Sequence, residues 1–309
     1  MRHKILPILM IFAVVACTGY KSNKPVALML SLQKGKTYRL SIKFVQTMGQ
    51  TVHDMQQNIT TTLRGNLSFY VKNRLNDRYL LDGRFETLHF TLQAPRMTVT
   101  FDSDQKPRTG NVSDQMFTRF VGQPFHIVMD RYGSIISVSG IDSLGHAIVD
   151  TMEIANPLLK MQYLENFKGL VGNRALKGTL SSLFAFYPAK AVKISQSWDK
   201  KLSVQSPIPA VFETTYKLAD FDSSEALIKG KSLIESQPVQ PEASGLKIDY
   251  EIEGSQTSEI KIRPKDGWIK SVTMQSEITG TMKVQKSPQI PHGLQIPFTL
   301  KTSSSAHSL

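Results

Sequence analysis

The single cysteine of this chain, Cys17, closes the run Val14-Val15-Ala16-Cys17. A thiol placed directly after a small residue, at the end of an apolar stretch, can be diacylated through its sulfur. Cleavage before it then frees its amine for a further acyl chain. The four residues match the lipobox of bacterial lipoprotein signals: aliphatic, tolerant, small, cysteine. Arg2 and Lys4 supply a basic start, and Ile5 to Ala16 is an apolar run interrupted only by Pro7, too short for a comfortable membrane span. The expectation is a signal peptide over residues 1–16 and lipidation at Cys17, with two or three chains holding a tethered body to a membrane. Ordinary cleavage after Ala16, or an uncleaved anchor, are the alternatives. With its one cysteine spent on lipid, the chain makes no intramolecular disulfide.

No other set of residues reaches a catalytic or metal-binding pattern. The seven histidines (His3, His53, His89, His126, His146, His292 and His307) show no metal-ligand spacing, so solvated or singly hydrogen-bonded roles are expected. Asp102 and Asp104 share a loop, but calcium needs more oxygen ligands than two carboxylates. Gly230-Lys231-Ser232 has the tail of a phosphate loop, yet Glu225 stands where its first glycine belongs. Ser137-Val138-Ser139-Gly140 lacks the first glycine of a nucleophile elbow. Asp130, Asp142, Glu153 and Glu165 read as helix caps and wet faces unless folding pairs them in a cleft. Trp198 and Trp268 follow turns and read as anchors of the core edge rather than stacking platforms. No catalytic, cofactor-binding or metal residue is assigned, and no cofactor is expected.

Composition bounds the class. At 40% hydrophobic and 20% charged residues, the chain can build a real core and is not a disordered polymer. The net charge of +12 is spread without an arginine-rich run or a basic helical stripe, so no nucleic-acid partner is expected.

The elements follow from periodicity. Residues 17–25 read as a polar tether. Tyr38, Leu40, Ile42 and Phe44 alternate with polar residues, as in a half-buried antiparallel strand. Thr47 to Thr62 reads as one polar strand. Leu67, Phe69 and Val71 alternate next, and Asn76-Asp77 turns into Tyr79-Leu80-Leu81. Phe85 is out of phase with Leu88, Phe90 and Leu92, which predicts a bulge near Glu86-Thr87. Met97, Val99 and Phe101 make a further strand. Ser113 to Val121 reads as a helix capped by Ser113, and Phe125 to Val138 as a hairpin with Gly133 at positive φ. From Asp142, read as an N-cap, to Pro188 the spacing turns helical, punctuated by Pro157 and Gly172.

After Trp198 the alternation returns, in Phe212 to Leu218, Ala226 to Glu235 and Leu246 to Ile252. Ser271 to Val284 has Val272, Met274, Ile278, Met282 and Val284 on one face. It would span roughly 45 Å, a length that calls for a bent, twisted sheet, with Gly280 as the bend. Leu294 to Leu300 reads as a last strand, placed at an edge by Pro297.

The fold class expected is α+β, predominantly antiparallel β: a long, curved, half-barrel-like sheet covered by a central helical segment. The body spans residues 26–300, with β structure over 28–140 and 198–300, helices over 141–188, and a disordered tail over 301–309. Two β domains joined by a helical linker is the alternative.

Several stretches resemble a family of bacterial, Bacteroidota-type lipoproteins of unknown function. They are Leu32-Gln33-Lys34-Gly35-Lys36-Thr37-Tyr38, Phe125 to Gly140, Tyr187-Pro188 followed by Ser197-Trp198, and the hairpin Ile260 to Ile278. The resemblance covers most of Val26 to Pro297. This chain carries Ser195-Gln196 where the family has Gly-Asp. The family has no known activity, so the resemblance assigns no catalytic residue.

These readings lead to a non-enzymatic, lipid-anchored envelope protein, attached to the outer membrane and facing the periplasm. Its partners are the membrane, through the anchor, and a hydrophobic small molecule or another envelope protein. A glycan-active hydrolase using paired carboxylates, or a partner-recruiting module, are the other two readings.

Overall fold

The computed structural model describes residues 24–52, 55–204, 208–237, 242–243, 246–287 and 290–309. Alternating side chains build strands because neighbours in an extended chain point to opposite faces. In the first half this gives β1 (Thr37–Val52), β2 (Met55–Leu75), β3 (Arg78–Ala94), β4 (Met97–Asp102), β5 (Phe125–Asp130) and β6 (Ile135–Ser139), with α1 (Val112–Phe120) before β5. The helices α2 (Ile141–Asp150), α3 (Pro157–Val171) and α4 (Asn173–Phe184) follow. The second half is β7 (Ser197–Val204), β8 (Ala210–Phe221), β9 (Ala226–Ser236), β10 (Glu242–Ala243), β11 (Leu246–Ile262), β12 (Ile269–Val284) and β13 (Leu294–Ser308).

The strands form one 13-stranded sheet in the order β6-β5-β3-β2-β1-β13-β12-β11-β9-β8-β7, with β4 added to β3 and β10 to β11. The two edge strands, β6 and β7, are the two that the helical segment connects. α4 packs against both. The sheet therefore curls until its edges reach one helix rather than each other, which leaves an unclosed half-barrel. The α+β, mainly antiparallel class expected from periodicity is the one observed, with helices packed on a long sheet.

The main core lies where the helices meet the sheet. Trp268 is fully buried, with ring centroids 4.8 Å from Tyr38, 5.4 Å from Phe69 and 5.5 Å from Phe184 of α4. Phe167 of α3 packs on Phe117 and Phe120 of α1. Leu28, Leu30 and Leu32 precede β1 and are buried across this end of the sheet. Their backbone is stitched in place: Leu30 N donates to Arg131 O and Ser31 N to Asp266 O, both at 2.8 Å. Each such leucine contributes about 2 kcal/mol of burial.

The expected bulge is present. Asn66 pairs with Thr87 and Leu67 with Phe85, so Glu86 is the extra residue, and it meets Arg39 at 2.9 Å. Five expectations need correction. Asp142 is not the N-cap of α2: Gly140 holds that position and Asp142 lies in the first turn. Thr47 to Thr62 is not one strand: β1 runs to Val52 and β2 starts at Met55, because polar residues on both sides of the turn hid it. Ser113 does not cap α1. Asn111 does, accepting from Asp114 N at 2.9 Å. Residues 301–309 are not a disordered tail, since β13 runs to Ser308 and pairs there with Leu40. Nor is β13 an edge. It lies between β1 and β12 and joins the two halves of the sheet. Pro297 fits because pairing to β1 stops one residue away, at Phe298 opposite Gln50, so no neighbour there needs its missing N–H.

Candidate functional site on the concave face

In an antiparallel sheet, residues directly opposite one another share a face, so the register assigns side chains to rows across the strands. A row of the inner face within the main core is apolar: Leu218, Ile228, Ile260 and Val272 continue into Ala306 and Ile42. Two rows further out, every residue is hydrogen-bonding. Lys200 of β7 pairs with Thr214, Thr214 with Ser232, and Ser232 with Gln256. Gln256 pairs with Ser276, Ser276 with Thr302, Thr302 with Gln46 and Gln46 with Thr61. One residue from each of eight successive strands thus makes an unbroken polar row.

The next row outward is wholly apolar. It runs Leu202, Phe212, Ile234, Gly254, Ile278, Leu300, Met48 and Ile59. Its Ile234, Ile278 and Leu300, with Ala210, Ile252 and Phe298, form a second hydrophobic cluster, separate from the main core, in which no member comes from a helix. Its half-buried rim includes Met48, Phe212, Tyr250 and Met282. Two glycines make the packing possible. Ile278 lies over Gly254 and Ile252 over Gly280, in space that a Cβ on either glycine would claim.

The polar row is dry at one end and wet along the rest. Thr214 and Ser232 are buried and their hydroxyls lie 2.8 Å apart. Tyr216 bonds Thr214, and burial pushes its phenol up to about 12. Ser258, beside them, is 7% exposed and its Oγ has no partner among the described residues. Gln256, Ser276, Thr302, Gln46 and Thr61 are half-exposed. Lys200 closes the row at the β7 edge. Burial lowers its pKa, and Asp130 opposes that shift. The face therefore combines a hydrogen-bonding stripe, uncharged from Thr214 to Thr61, with an apolar floor to which no helix contributes a residue.

The sequence held part of this. Gln46, Ser276 and Thr302 occupy apolar-phase positions of their strands, a departure from alternation visible strand by strand. Only the register turns these interruptions into one row.

Other sequence candidates fall elsewhere. Cys17, His3 and His53 lie outside the described residues. Asp130 Oδ1 accepts from Tyr132 N and Ser134 N in its turn, at 2.8 and 2.9 Å. Asp142 accepts from Asn173 N, Glu165 pairs with Lys168 at 3.0 Å, and Glu153 is exposed. Asp130, Asp142 and Glu165 thus serve local structure. Trp198 donates from Nε1 to Phe186 O at 2.8 Å, as a core-edge anchor does. His126 meets Asp82 at 2.9 Å.

One cluster escaped the spacing argument. The β3–β4 register sets His89 opposite Asp102. His89 Nδ1 is 2.9 Å from Asp102 Oδ1, out of line for a hydrogen bond, and Nε2 is 3.3 Å from Asp104 Oδ2. Their potential ligand atoms fall within 4.8 Å of one another. The cluster sits on the face opposite Leu88 and Phe90, on the outside of the sheet, with Asp104 exposed. It offers charge pairing when the imidazole is protonated. Among the described residues, no helix is long and apolar enough to cross a membrane.

Comparison with known proteins places the fold. The chain is similar to lipovitellin, in a structure described as showing lipid–protein interactions, with 11% identity and a TM-score of 0.51. That likeness covers 90% of this chain and 25% of lipovitellin, so the chain spans about a quarter of that protein. Weaker likenesses reach an outer membrane channel from Pseudomonas putida F1 (7% identity, TM-score 0.25, covering 91% and 97% of the two chains) and OccK5 of Pseudomonas aeruginosa (7%, 0.20, covering 89% and 99%). No curated protein matches. Residues 76–269 match a family described as of unknown function. That match takes in more than half of the chain, which therefore belongs to this family, DUF6263.

Proposed function

We propose that this chain is a lipid-anchored envelope protein whose concave sheet face binds a hydrophobic ligand, without catalysing a reaction. The observation that carries the reading is the second hydrophobic cluster. A soluble sheet gains by burying apolar side chains under another layer, and the first cluster does so under helices. The second has no helical member: its six core residues are buried and its rim of Met48, Phe212, Tyr250 and Met282 stays half-buried. A ligand's acyl or alkyl chain would pack against that rim. The likeness in fold to lipovitellin supports the reading at the level of architecture. Anchoring rests on the lipobox at Val14 to Cys17.

Two measurements test it. Mass spectrometry of the mature N-terminus should find a diacylated Cys17; a bare thiol there removes the anchor. The delipidated body should bind a fluorescent acyl probe, and Met282→Asp, at the half-buried rim, should weaken that binding about tenfold. A body that ignores acyl probes and copurifies no lipid ends the ligand reading.

A further inference from the structure

The polar row invites a question that the hydrophobic cluster alone does not raise: what part of a ligand lies on it. The inference rests on the reading that the concave face takes a hydrophobic ligand, and it names the class. From Thr214 to Thr61 the row offers hydroxyls and amides and no formal charge. Its accessible stretch, Gln256, Ser276, Thr302 and Gln46, borders the apolar row directly on four adjacent strands. Beyond that border the inner face stays largely apolar to Ile248, Val284 and Leu294, which lie in one row. Gln256 and Ile248 are eight residues apart on β11, about 26 Å along the strand. That is room for a long acyl chain laid parallel to the strands.

We propose that this face binds an uncharged, single-headed amphiphile such as a monoacylglycerol or a long-chain alcohol. Its ester or hydroxyl groups bond the Gln256–Ser276–Thr302–Gln46 stretch, and its chain packs along the half-buried rim of the outer apolar cluster. Complementarity decides against an ionised head. A carboxylate on that stretch would lose water with no cation to pair it, because the one inward-facing cation of the row, Lys200, lies at the β7 edge within the field of Asp130. Hydroxyl and amide groups can both donate and accept, so they satisfy an ester carbonyl and a hydroxyl equally well. The unpartnered Oγ of buried Ser258, one row inward, adds a further group of the same kind.

The test is a competition assay on the delipidated protein, displacing a fluorescent acyl probe with ligands of equal chain length at about pH 8. Monoacylglycerol and fatty alcohol should bind about tenfold more tightly than the ionised fatty acid, the worth of one or two net hydrogen bonds. The double variant Ser276→Val, Thr302→Val keeps strand-favouring residues and should fold, as circular dichroism and Tm would verify. It should erase most of that preference while leaving affinity for the acyl probe within about twofold. Equal binding of acid and alcohol by the parent protein overturns the proposal. Tighter binding of the acid, lost in Lys200→Met, overturns it too and moves the head to the β7 edge. A preference unchanged in the double variant overturns the role given to the row. Failure of every ligand, the probe included, instead removes the underlying reading.

Discussion

Asp142 and Asn173 cap across to each other's segments. Asp142, in the first turn of α2, accepts from the N–H of Asn173 at 2.9 Å, and Asn173, the first residue of α4, accepts from the N–H of Ile141 at 3.0 Å. Each satisfies a donor that its neighbour's helix start leaves orphaned. Gly140, left-handed at φ 99°, holds the N-cap position of α2 and has no side chain to do this. Gly172 is in the same position for α4. The pair therefore fixes the starts of two helices that are not consecutive in the chain.

Removing either partner should cost about 1 kcal/mol. Because both bonds hold the same junction, Asp142→Ala with Asn173→Ala should cost less than the sum of the two single changes. Urea unfolding of the four proteins in that cycle measures it, and strict additivity would show that the two bonds act independently.

Tyr216 should make the fold alkali-sensitive. Burial raises its pKa from 10.0 to about 12. A raised acid keeps its proton longer in the folded chain than in the unfolded one. Its stabilising contribution is complete below about pH 10 and is lost as pH climbs through about 12. Two units correspond to about 2.7 kcal/mol. Tyr216→Phe should flatten the decline in unfolding free energy over that window. Tyr187, fully buried and shifted in the same direction, leaves a residual slope. A variant whose slope matches the parent's would rule out Tyr216 as the source.

The fold was legible where burial is one-sided. Tyr38 to Phe44 and Val272 to Val284 announce their inner faces because one side packs and the other meets water. Phe85 and Leu88 announce the bulge by breaking phase. The polar hairpin between β1 and β2 was not legible, since Thr and Gln line both faces near the turn and no phase marks where the chain reverses. Residues 301–309 looked like a tail for the same reason: Ser303, Ser304 and Ser305 carry no apolar alternation, yet backbone pairing to β1 and β12 on both sides holds them. The candidate site was legible only in fragments. Each polar residue of the row is an unremarkable interruption within its own strand. Their alignment is a property of register, which no single strand contains.

Arg108 and Asp114 should make the start of α1 acid-sensitive. Asp114 is buried, and its carboxylate accepts from Arg108 Nε at 2.7 Å, Arg108 Nη2 at 2.6 Å and Arg108 N at 2.9 Å. The Arg108 hydrogen bonds hold its pKa below the usual carboxylate range. A depressed carboxylate stabilises fully above its unfolded pKa of about 3.8, and the contribution fades as pH falls below that. Asp114→Asn should cost about 2 kcal/mol at neutral pH and nearly nothing in acid. Arg108→Lys should not rescue, because an ammonium cannot reproduce the forked geometry. Unfolding free energies measured on both sides of pH 4 separate these outcomes.

The glycines of the concave face should be the least replaceable small residues in the sheet. A Cβ on Gly280 would collide with the carbonyl oxygen of Glu251 and approach Ile252 Cγ2 at 2.7 Å. On Gly254 it would meet the carbonyl of Glu277 and Ile278 Cγ1 at 2.9 Å. Backbone cannot step aside as a flexible side chain can, so Gly254→Ala and Gly280→Ala should each cost about 1–3 kcal/mol. Both changes also lift an isoleucine off the apolar floor, so acyl-probe affinity should fall with stability. Gly169, in α3, is the control. Nothing lies within 4 Å of the Cβ it lacks, and alanine is the better helix former there. Gly169→Ala should therefore stabilise by about 0.5–1 kcal/mol and leave probe binding unchanged. If all three substitutions proved equally mild, the concave face would have to be more open at Ile252 and Ile278 than the packing around these glycines indicates.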